Sequence, residues 1–227
     1  MKYLAIDAST EACSVALQVG SECLSRHLIA PRGHARYLLG MVDEVLQEAG
    51  LKPGELDGLV FDRGPGSFTG VRISTSVCQG LAFGAQLPVV GVSSLAGIAQ
   101  GRLRERGETA VAAVIDARMG EVYAGWFREQ KGIMQACAEE WIGPADTIAI
   151  PDQDPWYGAG SGWHAYRKEL SGVFAGQLSG VDAECLPMAK DLLTLAIPCF
   201  LSGRTLTPEQ VLPTYLRNEV TWKQSGV

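Results

Sequence analysis

The chain has 227 residues, of which 47% are hydrophobic and 19% are charged, and its formal net charge is −6. This length holds one large domain or two small lobes with an ample core, and the composition is that of an ordinary soluble protein. The negative net charge argues against a protein that binds nucleic acid on its own, because neutralising the phosphates requires a basic surface. A role in a complex whose partner supplies that surface stays open.

Cysteine spacing and hydropathy exclude further classes. The six cysteines are scattered and form no C-x-x-C pair, so neither a zinc ribbon nor a disulfide framework is predicted. Too few apolar residues precede Asp7 for a signal peptide. The most apolar later stretch, 192–201, is too short to span a bilayer. We therefore expect a cytoplasmic protein without a membrane segment.

The first half of the chain predicts the element order β-β-β-α-β-α-β-α. Buried runs and period-two alternation predict five strands, at 3–6, 13–19, 22–29, 58–61 and 88–92. Apolar residues at helical spacing, with caps and glycine or proline stops, predict three helices, at 34–49, 69–84 and 94–106.

The second half begins like the first. Residues 112–117 (AAVIDA) resemble 3–8 (YLAIDA), and both are followed by a turn and an alternating strand. A repeat at about half the chain length predicts a duplicated lobe. We therefore predict an α/β fold of two ribonuclease-H-like lobes, each a mixed sheet with flanking helices, as in actin-like and sugar-kinase-like (ASKHA) proteins.

We place the lobes at 1–108 and 109–227, with the second lobe shortened. Within it we predict a strand with a short helix, a strand entering a glycine-rich turn, a long apolar helix and a polar tail, at 141–150, 156–163, 188–201 and 206–224.

The stretch 63–74, RGPGSFTGVRIS, lies between a predicted strand and a predicted helix. Its glycines would lower the stability of an ordinary connecting loop, because glycine loses the most backbone freedom on folding. Two interpretations stay open: the loop binds an anion at the helix N-terminus, or it is a structural turn before a close-packed helix. It is not a Walker A loop, and Pro65 excludes a nucleophile elbow around Ser67.

Candidate catalytic groups are few. In nucleotide-hydrolysing actin-like proteins an aspartate at the end of the first strand serves metal and phosphate, and Asp7, with Ser9 and Thr10, occupies that position. The alternative is an ordinary turn aspartate. His34 begins a helix but Leu38 stands where a second ligand would be, so no metal site is predicted. No catalytic residue is predicted.

Five strings together carry a family resemblance over essentially the whole chain: YLAIDASTEACSVAL, RGPGSFTGVRIS, VIDARMGEVYAGWF, GAGSGW and PTYLRNEV. They resemble the TsaB (YeaZ) family of tRNA threonylcarbamoyladenosine biosynthesis proteins. That family is similar to the catalytic subunit TsaD, whose members carry H-x-x-x-H where this chain has His34 and Leu38. Asp62-Arg63 departs from the small residue that we expect before the glycines.

The resemblance implies a non-catalytic subunit needed to form the threonylcarbamoyl group on N6 of adenosine-37 in tRNAs that read ANN codons. It implies a heterodimer with a TsaD-like subunit, a TsaE-like ATPase, contact with tRNA only through the complex, and a homodimer in isolation. ATP and metal are expected in the partner subunits rather than in this chain. A metallopeptidase and a small actin-like kinase are the alternatives; the missing metal ligands and the shortened second lobe argue against them.

The first two helices are the expected partner surface. The first presents an apolar face and the second is rich in small residues that permit close approach of another helix. The resemblance agrees, because TsaB and TsaD are thought to pair through two helices from each chain. The expected contact residues are Leu38, Leu39, Val42, Gly70, Val71, Ser74, Cys78 and Leu81.

Overall fold

A computed structural model describes residues 1–217 of the chain. Its eleven strands are β1 (Lys2–Asp7), β2 (Ala12–Val19), β3 (Glu22–Ile29), β4 (Gly58–Asp62), β5 (Val89–Val92), β6 (Ala110–Arg118), β7 (Glu121–Gln130), β8 (Ile133–Ala136), β9 (Trp141–Pro144), β10 (Trp156–Ala159) and β11 (Leu178–Asp182). Its α-helices are α1 (His34–Glu48), α2 (Phe68–Ala85), α3 (Ser94–Arg106), α4 (Gly162–Ala165), α5 (Arg167–Val173) and α6 (Ala189–Leu201).

The two sheets repeat one topology. The first has the strand order β3-β2-β1-β4-β5, and the second has the order β8-β7-β6-β10-β11, with β9 paired to β7. In each sheet the three leading strands are antiparallel and the next two join in parallel. This confirms the predicted α/β fold of two duplicated lobes. In the second lobe, β9 and a 3₁₀ turn at Ala145–Thr147 stand where the first lobe has α1.

Two helices, α3 and α6, each pack on the sheet of the other lobe. α3 packs on the second sheet through Leu95 and Ile98. α6 packs on the first sheet through Leu192 and Ala196. The predicted boundary at 108/109 therefore separates the strands of the two sheets but not the helices. α6, assigned by sequence to the C-terminal lobe, completes the core of the N-terminal one.

Strand β1 is buried on both faces, which explains its uninterrupted apolar run. Leu4 and Ile6 contact the core on the α1 and α2 side, whereas Tyr3 faces α6. The ring of Tyr3 stacks on Phe200 of α6 with centroids 4.2 Å apart. A Cβ atom on Gly58 would lie 2.5 Å from the same Phe200 ring, so this glycine makes room for α6.

The predicted elements of the first half are confirmed to within about two residues at each end. The strand and short helix predicted for 141–150 correspond to β9 and the 3₁₀ turn, and β10, its glycine turn and α6 also match. Four elements have no counterpart in the prediction: β8, α4, α5 and β11. Of the predicted tail and the PTYLRNEV string, only the part up to residue 217 lies within the described residues.

Candidate functional site

The turn after β1 holds the candidate aspartate of the first lobe. Asp7 is fully buried. Its Oδ1 accepts hydrogen bonds from the backbone N–H and the hydroxyl of Ser9, at 2.9 and 2.8 Å, and its Oδ2 accepts from the Ser14 hydroxyl at 3.3 Å. The hydroxyl of Thr10 accepts from the backbone N–H of Ala12. These bonds are those of a structural turn.

The glycine loop closes directly on that turn. The N–H of Ser67 donates to the carbonyl of Ser9 at 2.7 Å. A Cβ atom would lie 2.3 Å from the Ser9 carbonyl oxygen if placed on Gly66, and 1.9 Å from the Ala8 carbonyl oxygen if placed on Gly70. The glycines are therefore explained by close backbone approach, which favours the structural interpretation of the loop. The Asp7, Ser9 and Thr10 site stays a prediction.

Asp62 ends the neighbouring strand β4 and is also fully buried. Its Oδ1 accepts from the N–H of Gly64 at 2.6 Å and from the hydroxyl of Ser94 at 2.7 Å. Burial, and then repulsion by the Asp62 charge, raises the pKa of Asp7 well above its usual range. From the sequence we expect a small residue at position 62. In the structure, the carboxyl group of Asp62 instead takes part in the turn.

The second lobe repeats the arrangement. A Cβ atom on Gly160 would lie 2.5 Å from the Val114 carbonyl oxygen, and one on Gly162 would lie 2.4 Å from a Val114 side-chain methyl. Asp116, the counterpart of Asp7, accepts a hydrogen bond from the Tyr166 hydroxyl at 3.2 Å. The glycine loop of the first lobe therefore packs against the turn after β1, and the glycine turn of the second lobe packs against β6 itself.

His34 and Leu38 do not form a metal site. Leu38 lies in the first core, and His34 is buried with its Nε2 lacking a hydrogen-bond partner. Within residues 1–217, no group of three or more His, Cys, Asp and Glu side chains is placed to hold a metal ion. The absence of a cofactor stays a prediction.

Most of the expected partner contacts on α1 and α2 face inward. Six of them are buried in the chain's own core: Leu38, Val42, Gly70, Val71, Ser74 and Cys78. The Ser74 hydroxyl donates to the Val71 and Asp62 carbonyls, which ties α2 to β4. These six cannot contact a partner in this conformation, so the contact set must be corrected. Leu39 is 55% exposed and Leu81 is half-buried.

The exposed side of α2 carries a different stripe of small residues. Ser76, Gly80 and Gly84 follow each other at four-residue spacing and are all exposed. A Cβ atom on Gly80 or Gly84 would meet none of the described residues within 4 Å. Phe68 and Phe83, 60% and 68% exposed, stand at the two ends of this face. We call these five residues the α2 stripe.

Two further elements border the α2 stripe. The Arg72 guanidinium lies 3.5 Å from the centre of the Phe68 ring and donates to the Tyr215 hydroxyl at 2.8 Å. A depression of about 450 Å³ runs between α1 and α2 and is lined by Ala35, Phe68, Thr69, Arg72, Ile73, Ser76 and Val77. The exposed side of the helix pair is therefore apolar, grooved and continuous with the C-terminal segment.

Three comparisons relate this chain to known proteins. The model of the family described as "TsaD: tRNA N6-adenosine threonylcarbamoyltransferase" matches residues 28–189. The tRNA threonylcarbamoyladenosine biosynthesis protein TsaB of Escherichia coli is 41% identical over 99% of this chain and 98% of the relative. The structure of YeaZ from Pseudomonas aeruginosa is 46% identical and superposes with a TM-score of 0.90, covering 95% of this chain and 99% of that one.

The chain belongs to the TsaB family. The model of the catalytic family matches residues 28–189. One named member, a tRNA N6-adenosine threonylcarbamoyltransferase of Cereibacter sphaeroides, is 49% identical over 69 residues, which are 30% of this chain and 19% of that enzyme. Within residues 1–217, no helix of this TsaB-family chain is both long and apolar enough to cross a membrane.

Sequence reasoning missed the α2 stripe for a definite reason. α2 carries two small-residue series at four-residue spacing, one through Gly70, Ser74 and Cys78 and one through Ser76, Gly80 and Gly84. Spacing alone does not say which series faces the sheet. The sequence did contain one indication of the exposed series: Phe68 and Phe83 lie on the side of Ser76, Gly80 and Gly84.

Proposed function

We propose that this chain is a non-catalytic subunit in the formation of threonylcarbamoyladenosine. In this role it is required for transfer of the threonylcarbamoyl group to N6 of adenosine-37 in tRNAs that read ANN codons. It holds a TsaD-like catalytic subunit in its working form, and a TsaE-like ATPase docks on the pair. Membership of the TsaB family supports this role.

The observation that carries the proposal is the α2 stripe. Glycine in a helix interior is destabilising by about 0.5–1 kcal/mol relative to alanine, and no residue of 1–217 would lie within 4 Å of a Cβ atom on Gly80 or Gly84. The stripe spans about 22 Å from Phe68 to Phe83 at the helical rise per residue. An exposed strip of small residues between two aromatic rings is suited to receive another helix.

Helix pairing explains the composition of this face. Helices whose contact residues are small approach to about 8–10 Å. α1 lies beside α2 and adds the exposed Leu39, so a partner that presents a similar helix pair completes a four-helix arrangement. A TsaD-like subunit is the proposed occupant because enzymes of that name are similar to part of this chain. In its absence a second copy takes the same place, since two-fold pairing is the commonest homo-oligomer.

The closed first turn supports a non-catalytic role. The glycine loop packs directly on the turn that carries Asp7, Ser9 and Thr10, and the side-chain hydrogen bonds of these residues are made within that turn and to β2. ATP and metal are therefore assigned to the partner subunits. The net charge of −6 supports contact with tRNA through the complex rather than through this chain alone.

The function is tested by omission. A reaction reconstituted from the TsaD-like subunit, the TsaE-like ATPase, tRNA and a supply of threonylcarbamoyl-AMP should form the modified nucleoside only when this chain is added. Depletion of this chain from cells should remove the nucleoside from ANN-decoding tRNAs while the TsaD-like subunit persists. Intact modification after full depletion would contradict the proposal.

The two enzyme alternatives make a different prediction. A metallopeptidase or a small kinase has activity as the pure chain, and a metallopeptidase contains stoichiometric zinc or iron. We expect neither activity nor metal. Peptidase or kinase turnover that is lost in His34→Ala or Asp7→Asn, with the fold intact, would favour an enzyme.

A further inference from the structure

Two buried carboxyl groups meet at the ends of neighbouring parallel strands. Ile6 of β1 pairs with Phe61 of β4, so Asp7 and Asp62 follow side by side. Both residues are 0% exposed, so two carboxyl groups are buried at adjacent strand ends.

One oxygen of the two carboxyl groups has no hydrogen-bond donor among the described residues. Ser9 and Ser14 supply the donors to Asp7, and Gly64 and Ser94 supply both donors to Asp62 Oδ1. The remaining oxygen, Asp62 Oδ2, is buried without a hydrogen-bond partner among the described residues. A buried oxygen of this kind is costly unless a donor reaches it.

No cation compensates the two carboxyl groups within residues 1–217. The Arg63 guanidinium is directed away, to the Thr214 hydroxyl at 2.9 Å and to the Glu140 carboxylate at 3.6 Å. The other titratable groups nearby are Glu140, a further acid, and Cys13 on β2, whose pKa burial and then the Asp7 charge raise to about 12. α3 and α6 contribute only the Ser94 hydroxyl and, through Ser14, a backbone N–H.

We propose that Asp7 and Asp62 share a single proton and form a latch that fastens the first turns of α3 and α6 to the first sheet. A proton on Asp7 supplies the donor that Asp62 Oδ2 lacks, and it removes one of two charges that cannot both be buried. Ser94, the first residue of α3, donates to Asp62. The N–H of Ala189, the first residue of α6, donates at 2.8 Å to the Ser14 hydroxyl, which in turn donates to Asp7. The latch therefore lies where the two helices that join the lobes begin.

The sign of the pH dependence follows from proton counting. Burial raises the pKa of Asp7 above its usual value. The folded chain therefore keeps the shared proton at pH values at which the unfolded chain has already released it. The stability that this proton contributes is fully present below the unfolded pKa and is lost as pH rises through the folded pKa. Within that window one extra bound proton increases the unfolding equilibrium constant by up to about tenfold per pH unit.

Asp62→Asn tests the latch because the asparagine amide is a hydrogen-bond donor at every pH and replaces the shared proton. We expect the ratio of wild-type to Asp62→Asn unfolding constants, measured by urea denaturation, to rise with pH from about 5 to 9. Asp146→Asn, at an exposed aspartate, should follow the wild type. At the alkaline end, amide exchange in the first turns of α3 and α6 should be faster in the wild type than in Asp62→Asn. A ratio that does not change with pH would overturn the proposal.

Infrared difference spectroscopy tests the proton without relying on the stability of a variant. At neutral pH the wild type should show the carbonyl band of one protonated carboxyl group, and this band should be lost in Asp7→Asn and in Asp62→Asn. Absence of that band from the folded wild type would contradict the proposal. Stabilisation that requires Mg²⁺ and disappears with a chelator would also contradict it, because a cation would then hold the two carboxylates together.

Discussion

At the scale of single residues, the glycines of α2 have opposite roles. Gly70 lies against the backbone of the first turn, where an added Cβ would be 1.9 Å from a carbonyl oxygen. Gly80 lies in the same helix, but a Cβ atom there would meet no other residue within 4 Å in the part of the chain that the structure describes. The first glycine is needed for the fold, and the second contributes nothing to it.

Alanine at these two positions should change stability in opposite directions. Gly70→Ala should lower the free energy of unfolding by about 1–3 kcal/mol, because the backbone at Ala8 must shift. Gly80→Ala should raise it by up to about 1 kcal/mol through helix propensity. Urea denaturation of the isolated chain measures both changes. Equal effects would mean that α2 does not pack on the β1 turn as described.

At the scale of elements, the segment 206–215 is part of the first lobe. Leu206 forms a bridge with Val89, with N···O distances of 3.0 and 2.7 Å, and Val211 is fully buried in the first core. Thr214 is held twice by Arg63, through backbone and side chain. This segment places Tyr215 beside the α2 stripe.

Val211→Asp should detach this segment, because it places a charge without a partner in the core. We expect faster amide exchange at 206–215 and at Val89, with the remaining sheet protected. Leu212→Asp is the matched control, since Leu212 is 67% exposed, and its exchange should match the wild type. Unchanged exchange in folded Val211→Asp would show that the segment is anchored by other contacts.

Elements could be predicted where the chain is buried regularly. β1 is an uninterrupted apolar run, β2 alternates in sequence and α1 has helical periodicity, so their bounds were nearly correct. β11 could not be predicted, because its residues alternate between half-buried and exposed at a sheet edge and include Gly180. The inward face of α2 could not be predicted either, since Gly70 is explained only by the carbonyl of Ala8, which comes near it through the fold.

At the scale of the whole molecule, the lobes are joined through α3 and α6. Arg104 of α3 binds the Asp191 carboxylate of α6 at 2.7 and 3.0 Å. The Asp191 side chain is 1% exposed, and burial raises its pKa even though Arg104 opposes this. A second connection runs from Arg217 to the Ala117 carbonyl and the Glu121 carboxylate at the β6–β7 turn.

Arg104→Ala should destabilise the chain strongly, by about 3 kcal/mol, because it leaves a buried carboxylate without its partner. Adding Asp191→Asn should recover part of this loss, since the remaining group is then neutral. A double-mutant cycle by thermal denaturation gives the coupling energy. Additive effects of the two substitutions would show that this ion pair does not couple α3 to α6.

Binding of the TsaD-like subunit to variants of the exposed glycines tests the central claim most directly. Gly80→Leu fills the α2 stripe, whereas Gly172→Leu adds the same side chain at an exposed glycine of α5 that also meets nothing within 4 Å. By titration calorimetry we predict that Gly80→Leu loses binding of the TsaD-like subunit and self-association while its unfolding midpoint is maintained. Gly172→Leu should bind like the wild type. Normal binding by folded Gly80→Leu would contradict the claim that the α2 stripe is the partner site.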